Sequence, residues 1–171
     1  MTQKCLGIFL IACGLWAAVS LPSWADDKEN EAQLSKALAE ATVSLEQGLR
    51  ASEREGKPIS GKFEIQDGAL QLSIYTMKGD KFAEVIVDYK TGNIMKVENI
   101  TDADDLKAAR AQSQAMTKAK VPLARAVRDA VSAHGAYRAV SVMPVVKPSG
   151  IMADITLMKG EDVKKFSEKL D

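Results

Sequence analysis

The chain has 171 residues, and 23 Lys and Arg balance 23 Asp and Glu for a formal net charge of zero. This balance excludes the strongly basic surface through which proteins attract nucleic acid or anionic lipid. A single histidine and two cysteines exclude a zinc site that is built from several histidines.

The first 25 residues are predicted to be a signal peptide. Lys4 precedes the apolar run CLGIFLIACGLWAAV (5–19), Pro22 ends the run, and SWA (23–25) places small residues where signal peptidase cleaves. We predict cleavage after Ala25 and a periplasmic or secreted protein. Both cysteines leave with the signal, so the mature chain has no disulfide to stabilise it.

Two alternatives to this cleavage stay open. LIAC (10–13) has the form of a lipobox, which would make Cys13 a lipidated N-terminus. An uncleaved signal would instead anchor the chain in the membrane, although the apolar run is shorter than the roughly 20 residues of a spanning helix. A membrane association is expected only in these two cases.

Residues 26–100 are predicted to form a first unit that begins with a helix from Lys28 to Glu55. Apolar and small residues recur there at helical spacing, and Gly56 stands where a helix commonly ends. Within this stretch SLEQ (44–47) has the form of a capping box, so a second helix beginning at Ser44 is the alternative. We predict one helix, because the apolar stripe continues through the break.

From Ile59 to Glu98 the hydrophobic period changes to two, which predicts four short antiparallel strands. The stretches QDG (66–68), KGD (78–80) and KTGN (90–93) each supply a glycine for a turn. We expect one apolar face of this sheet to lie against the helix and the other face to be mostly exposed to solvent.

Residues 101–120 are predicted to form a linking helix, because this stretch is rich in alanine and charge. Asp102, Asp104 and Asp105 lie where a helix N-terminus favours negative charge. These carboxylates are interpreted as a helix start rather than a calcium site, because the spacing and glycine of a calcium loop are missing.

Residues 121–171 are predicted to form a second, shorter unit. Pro122 suits a first helical turn, Gly135 ends that helix, and strands are expected at 139–146 and 151–158. Pro144 predicts an edge position or a bulge, since proline cannot donate to a ladder. The last segment, 163–170, fits either a helix or a strand from its spacing alone.

A repeat underlies this order of elements. TMKGDKF begins at residue 76 and LMKGEDV at residue 157, 81 positions later, and each follows a helix and two strands. The predicted fold class is α+β, with two helix-plus-antiparallel-sheet units of order α-β-β-β-β and α-β-β-β. Each helix is expected to pack on one face of its sheet.

The chain resembles the PepSY domain family. The resemblance rests on SLEQGLRASEREG (44–56), FEIQDGALQLSIYTMKGDKFAEVIVD (63–88) and EVIVDYKTGNI (84–94), and a divergent second copy is similar over 121–171. The resemblance implies an extracytoplasmic protein that inhibits or regulates peptidases, with no catalytic motif and no cofactor. It also implies a strand at 163–170. The second copy lacks the Thr-Gly hairpin, so we expect it to borrow an edge or a face from the first.

No residue pattern predicts a catalytic or metal site. His134 ends an apolar helical stripe and is interpreted as a helix cap or a residue at the core margin. The scattered methionines are interpreted as core residues rather than as copper ligands. Four apolar side chains on the strand faces opposite the main apolar set are predicted to form either a partner-binding patch or the contact between the units: Tyr75, Met77, Phe82 and Ile86.

The leading hypothesis is a non-enzymatic protein that binds a protein partner, specifically an exported peptidase, and inhibits or regulates it. An exposed sheet edge would suit capture of an extended segment by strand addition. The alternative is a small-ligand or metal-binding envelope protein that uses a cleft between the two units. An enzyme is a third reading, and it would require titratable groups that converge in one pocket.

Overall fold

The computed structural model describes the backbone of residues 24–171 and the side chains from residue 29 onward. The predicted signal peptide, with Cys5 and Cys13, lies outside the described residues except for its last two positions. Within the described residues, no helix combines the length and apolar character needed to cross a membrane.

The described chain is an α+β structure, as predicted. Its elements in chain order are α1 (Trp24–Leu38), α2 (Leu45–Ser52), β1 (Lys57–Gln66), β2 (Ala69–Lys78), β3 (Lys81–Val87), β4 (Ile94–Asn99), α3 (Ala103–Lys118), α4 (Leu123–Ala133), β5 (Arg138–Lys147), β6 (Gly150–Lys159) and β7 (Asp162–Lys169). The last strand resolves the ambiguity at 163–170 in favour of a strand.

All seven strands form one antiparallel sheet of order β4-β3-β2-β1-β5-β6-β7. The strands of the first unit lie on one side and those of the second unit on the other. The two meet where β1 pairs with β5, through Gly61 opposite Val142 and Lys62 opposite Ser141. The second unit therefore borrows an edge from the first, because its β5 would otherwise present unpaired backbone groups.

The two units share details of backbone conformation at equivalent positions of the repeat. Gly79 and Gly160, 81 residues apart, both have positive φ angles, of 61° and 58°, in the two-residue turns of equivalent hairpins. The register also shifts at equivalent positions, where Ile59 and Val140 are the extra residues of bulges in β1 and β5. Both bulged side chains are buried.

The main core lies between the sheet and helices α2 and α4. Leu49 of α2 and Val127 of α4 are buried, and β6 alternates as predicted, with Ile151, Ala153, Ile155 and Leu157 all buried. Complete burial of a leucine or valine side chain stabilises a fold by about 1.5–3 kcal/mol. The amphipathic pattern of the two helices is thus accounted for by this core.

Helix α3 lies on the opposite face of the sheet from α2. A Cβ atom added to Gly61 would meet Leu45 and Leu49 of α2, whereas the side chain of the preceding residue, Ser60, donates a hydrogen bond to Gln112 of α3. Adjacent strand residues point to opposite faces. The expectation that this face is mostly exposed is therefore wrong where α3 crosses β1 and β5.

The single N-terminal helix that we predicted is wrong, and the alternative with a restart at Ser44 is right. Ser44 Oγ accepts from the Gln47 backbone N–H, and the Gln47 side chain accepts from the Ser44 N–H, which completes a capping box. The N–H groups of Thr42 and Val43 donate to the carbonyl of Tyr89 instead of continuing α1. The helix α2 ends at Ser52, before Glu55.

The edge position predicted for Pro144 is confirmed only locally, since β5 is a central strand with its bulge at Val140 but Pro144 lies beyond the end of its ladder with β1. Pro144 is paired with Ala153 of β6. The β1–β5 ladder consists of only the two pairs at Gly61 and Lys62, so no β1 residue pairs with Pro144. A proline is tolerated there because no ladder bond requires its missing N–H.

The C-terminal residues close the second unit. Leu170 is fully buried, its N–H donates to Ile151, and its carbonyl accepts from Lys120 and Val121. These bonds attach the segment between α3 and α4 to the end of β7.

Candidate functional site

A cleft of about 320 Å³ lies where the two units meet, and we call it the junction cleft. Its floor comes from β1, β2 and β5, and its wall from α3 and the residue that follows β4. The lining residues are Ser60, Gly61, Lys62, Tyr75, Ile100, Asp105, Ala108, Ala109, Gln112, Ser141, Val142 and Met143. This mixture of apolar surface and a few polar groups is typical of a binding site.

Three contacts between α3 and the sheet fix the wall of the junction cleft. Ser60 Oγ donates to Gln112 Oε1 at 2.7 Å, and Lys57 Nζ donates to the Met116 carbonyl at 2.7 Å near the end of α3. The Ser113 hydroxyl contacts the sulfur of Met77 between these points. The C-terminal half of the helix is thus attached to β1 and β2.

Tyr75 is the aromatic side chain of the junction cleft. Burial raises the pKa of the Tyr75 phenol above its usual range, and the negative charges of Glu84 and Glu64 raise it further. The Lys62 ammonium lies 5.9 Å from the centre of the ring and 2.6 Å from the Glu64 carboxylate. The phenol therefore stays in its neutral, hydrogen-bond-donating form, and Glu84, which lies opposite Tyr75 in the β2–β3 pair, acts as its acceptor.

The four side chains predicted as a partner-binding or inter-unit surface are divided by the fold. Tyr75 lines the junction cleft, whereas Met77 contacts α3. Phe82 lies opposite Met77 in the β2–β3 pair and is buried, and Ile86 is half-buried beside β4. The linking helix, rather than the second unit, contacts Met77.

His134 lies at the C-terminal end of α4, at the margin of the core. Its ring stacks on Phe166 of β7, with ring centres 4.1 Å apart. This position agrees with the interpretation of His134 as a packed residue. Among the described residues, no three His, Cys, Asp or Glu side chains are grouped to hold a metal ion.

Lys147, Asp154 and Ser167 form a polar cluster that the sequence did not indicate. Lys147 Nζ donates to Asp154 at 2.6 Å and to Ser167 Oγ at 2.7 Å, and Ser167 Oγ donates to Asp154 at 2.5 Å. A serine nucleophile needs a base that accepts its proton, whereas this lysine donates to the serine. The cluster instead ties β7 to the β5–β6 hairpin.

The charges around Asp154 also fit this structural role. Partial burial acts to raise the pKa of Asp154, but hydrogen bonds from Lys147 and Ser167 leave it below its usual value. The carboxylate is thus held in its charged, hydrogen-bonding form. Only the pairing of β5, β6 and β7 brings these three residues together, so no local spacing signals them.

Arg138 is a second important residue that sequence reasoning missed. Its guanidinium donates to the carbonyls of Leu38, Ala41 and Val43 at 3.0, 2.7 and 2.6 Å, and its central carbon lies 5.4 Å from the Phe63 ring. Burial lowers the pKa of Arg138 from its usual value. This side chain of the second unit holds the turn between α1 and α2 in the first.

Two further cavities are lined mainly by the helix core. One, of about 380 Å³, lies between α2 and the start of α4, and the other, of about 170 Å³, lies beside Ser44 and Arg138. Tyr137 lines the smaller of the two, but neither lining includes an exposed large hydrophobic side chain such as Met143 of the junction cleft. The junction cleft is therefore the candidate site.

Comparison with known proteins adds no relative: no family model, curated protein or solved structure matches the chain.

Proposed function

We propose that this chain is a non-enzymatic extracytoplasmic binding protein that inhibits or regulates an exported peptidase. The predicted signal peptide supports the location, and the resemblance to PepSY domains supports the class of partner. The observation that carries the proposal is the junction cleft, which opens beside an exposed part of the sheet. The partner's segment is bound there through one large side chain.

The size and chemistry of the junction cleft support this mode of binding. A volume of about 320 Å³ is at the lower end for ligand pockets and accommodates one large side chain rather than an extended substrate. Met143 is 46% exposed and supplies a flexible apolar contact. The ring of Tyr75 supplies an aromatic contact surface, and aromatic residues often contribute most to protein binding.

The surrounding surface supports a protein partner. Met143 and Val145 lie on the same face of β5, and their partners in β6 are Asp154 and Met152. These side chains are half-buried or exposed, and α3 packs mainly over β1 and β5. A partner that covered them would bury apolar surface next to the junction cleft, which is the usual arrangement of an interface core.

The test is affinity capture from an envelope extract, with the exported full-length chain as bait. Met143→Glu places a charge at the mouth of the junction cleft, and Val146→Glu is a matched control at a more exposed β5 position. We expect the wild type and Val146→Glu to retain an exported peptidase and to lower its activity. Retention should fall at least about tenfold for Met143→Glu. Equal retention by both variants would show that the junction cleft is not the binding site. Capture of no peptidase would show that the partner is not an exported peptidase.

A small apolar ligand in the junction cleft is the second candidate function. The cleft lies between the two units, and its lining contains Tyr75, Ile100, Ala109 and Met143. A ligand bound there would raise the thermal unfolding midpoint, since binding to the folded state stabilises it. A panel of hydrophobic ligands and copper should give a shift that Met143→Glu removes; no shift for any member would count against this candidate.

A further inference from the structure

The strand β4 is an edge of the sheet that retains exposed apolar side chains. Within the described residues, the exposed large hydrophobic side chains are Met95, Val97, Met143 and Val146, and two of these four belong to this six-residue strand. The other edge strand, β7, carries Lys164, Lys165 and Lys169 and contributes none of them. Lysine-rich edges of this kind resist pairing with other chains, so β4 is the less protected edge.

Within the part of the chain that the structure describes, the backbone N–H and C=O of Val97 have no partner. The N–H of Ile100 donates to the carbonyl of Phe82 at 3.0 Å, which makes this a hydrogen-bonded pair of the antiparallel ladder. Hydrogen-bonded and non-hydrogen-bonded pairs alternate. Glu98 and Lys96 therefore bond to β3, whereas the N–H and C=O of Val97 and Asn99 point outward, away from the sheet.

The charges on the two sides of Val97 are arranged so that they complement those of a second, antiparallel copy of β4. Lys96 precedes Val97 and Glu98 follows it, and both side chains are at least half exposed. A second copy of β4, placed antiparallel with a two-fold axis through Val97, sets each Lys96 opposite Glu98 of the second copy. The outward N–H and C=O of the two Val97 residues then form a hydrogen-bonded pair, which is the register that this backbone orientation requires.

The same arrangement relieves an unfavourable contact within the chain. Glu98 lies directly opposite Glu84 in the β3–β4 pair, and like charges in opposing positions destabilise a sheet. Lys96 lies 2.8 Å from Glu98 and balances one of these two carboxylates. In the dimer each Glu98 would lie near its own Lys96 and opposite the Lys96 of the other copy, which weakens its repulsion from Glu84.

We propose that the protein forms a symmetric homodimer through antiparallel pairing of β4 with β4 of a second copy. The pairing is centred on Val97 and joins the two sheets into one. It covers Val97, which is 44% exposed in the single chain. The bulge at Met95 limits the paired stretch to residues 95–99. This surface is distinct from the junction cleft, so the dimer and the peptidase proposal can fail separately.

The first test uses reversed charges and analytical ultracentrifugation of the full-length exported protein. We expect a dimer for the wild type at concentrations up to about 100 µM. Lys96→Glu and Glu98→Lys should each weaken dimerisation by about tenfold or more, since each creates two like-charge contacts. An equimolar mixture of these two variants should dimerise again, because every cross-strand pair in the mixed dimer has opposite charges.

The second test uses Val97→Pro. The substitution removes the outward N–H of Val97 but no hydrogen bond to β3, and proline is tolerated at such positions of an edge strand. We expect a folded monomer. Lys164→Glu on β7 is the matched charge control and should remain a dimer. A wild type that is monomeric throughout the concentration range would overturn the proposal. A mixture of the two charge variants that stays monomeric, while each is folded by circular dichroism, would do the same.

Discussion

Gly61 and Val142 lie directly opposite each other where β1 pairs with β5, and they are 81 residues apart, the offset of the sequence repeat. The two equivalent residues therefore lie on the approximate two-fold axis that relates the units. One is a glycine because a Cβ atom there would lie 2.7 Å from Ile74 Cδ1 and 3.3 Å from Leu45 Cδ1. The absence of a side chain at Gly61 thus lets Ile74 of β2 and Leu45 of α2 pack close to the axis.

Replacement of Gly61 by alanine should destabilise the fold. The added methyl group meets side chains that are completely or almost completely buried, so it overpacks the core, at a cost of about 1–3 kcal/mol. The free energy of unfolding in urea measures this effect. Gly135→Ala is the control, because its Cβ would meet no atom within 4 Å. An equal, small change for both variants would show that the side chains around Gly61 move to accommodate the added methyl group.

Arg138→Met should destabilise the protein by about 2–4 kcal/mol, because three carbonyls lose a charged donor. Urea unfolding measures the loss, and hydrogen exchange should increase over residues 38–43. Arg128→Met, at an exposed position in α4, is the control and should change stability by less than about 0.5 kcal/mol. A small effect for Arg138→Met would mean that water replaces the guanidinium at these carbonyls.

Ser44→Ala should reduce stability by about 1 kcal/mol, since it removes the side-chain acceptor of the α2 capping box. Chemical unfolding provides the comparison with Ser132→Ala, an exposed position in α4 that should be neutral or slightly stabilising. If Ser44→Ala left stability unchanged, the bonds from Thr42 and Val43 to Tyr89 would be sufficient to start α2.

Stability should decrease in acid through Asp88, whose carboxylate accepts from the N–H groups of Thr91 and Lys90 at 2.8 Å each. These hydrogen bonds hold its pKa below the usual 3.8. The stabilisation is therefore complete above the unfolded pKa and is lost as the pH falls through the lower folded pKa. The thermal midpoint of the wild type should exceed that of Asp88→Asn above about pH 5, and the difference should shrink as the pH falls below about 4.

The matched control for this pH profile is Glu161→Gln, at an exposed position in the β6–β7 turn. This substitution should leave the difference in thermal midpoint between neutral and acidic pH the same as in the wild type. A profile of Asp88→Asn that runs parallel to the wild type at every pH would assign the acid sensitivity to other carboxylates.

Most helices and strands could be predicted because their signals are local. The period of two in β2 and β6 and the glycines of both MKG turns specify strands and hairpins within about ten residues. The capping-box pattern at 44–47 indicates the helix break before Ser44, but the apolar stripe that continues through it favours a single helix. The break is stabilised by the Tyr89 carbonyl, which accepts from the N–H groups of Thr42 and Val43 and lies more than 40 residues away in sequence.

The candidate site was predicted only in part. The sequence predicts Tyr75 as a surface residue because it lies on the strand face opposite the main apolar set. Its neighbours in the cleft, Gln112 and Met143, come from α3 and β5, which are distant in sequence. Met116 is the one large apolar side chain among the buried residues of α3, and the others are Ala109, Ser113 and Ala115, so hydrophobic periodicity did not show which face of the sheet this helix covers.

The sequence by itself determined the order of the strands in the two units and the equivalent hairpins, because each depends on spacing within a short segment. Tertiary structure decided the pairing of β1 with β5, the face covered by α3 and the carbonyls bound by Arg138. Each of these joins residues about 50–100 positions apart. Such contacts follow from which apolar faces and unpaired backbone groups can be buried together, a condition on the whole chain rather than on any segment.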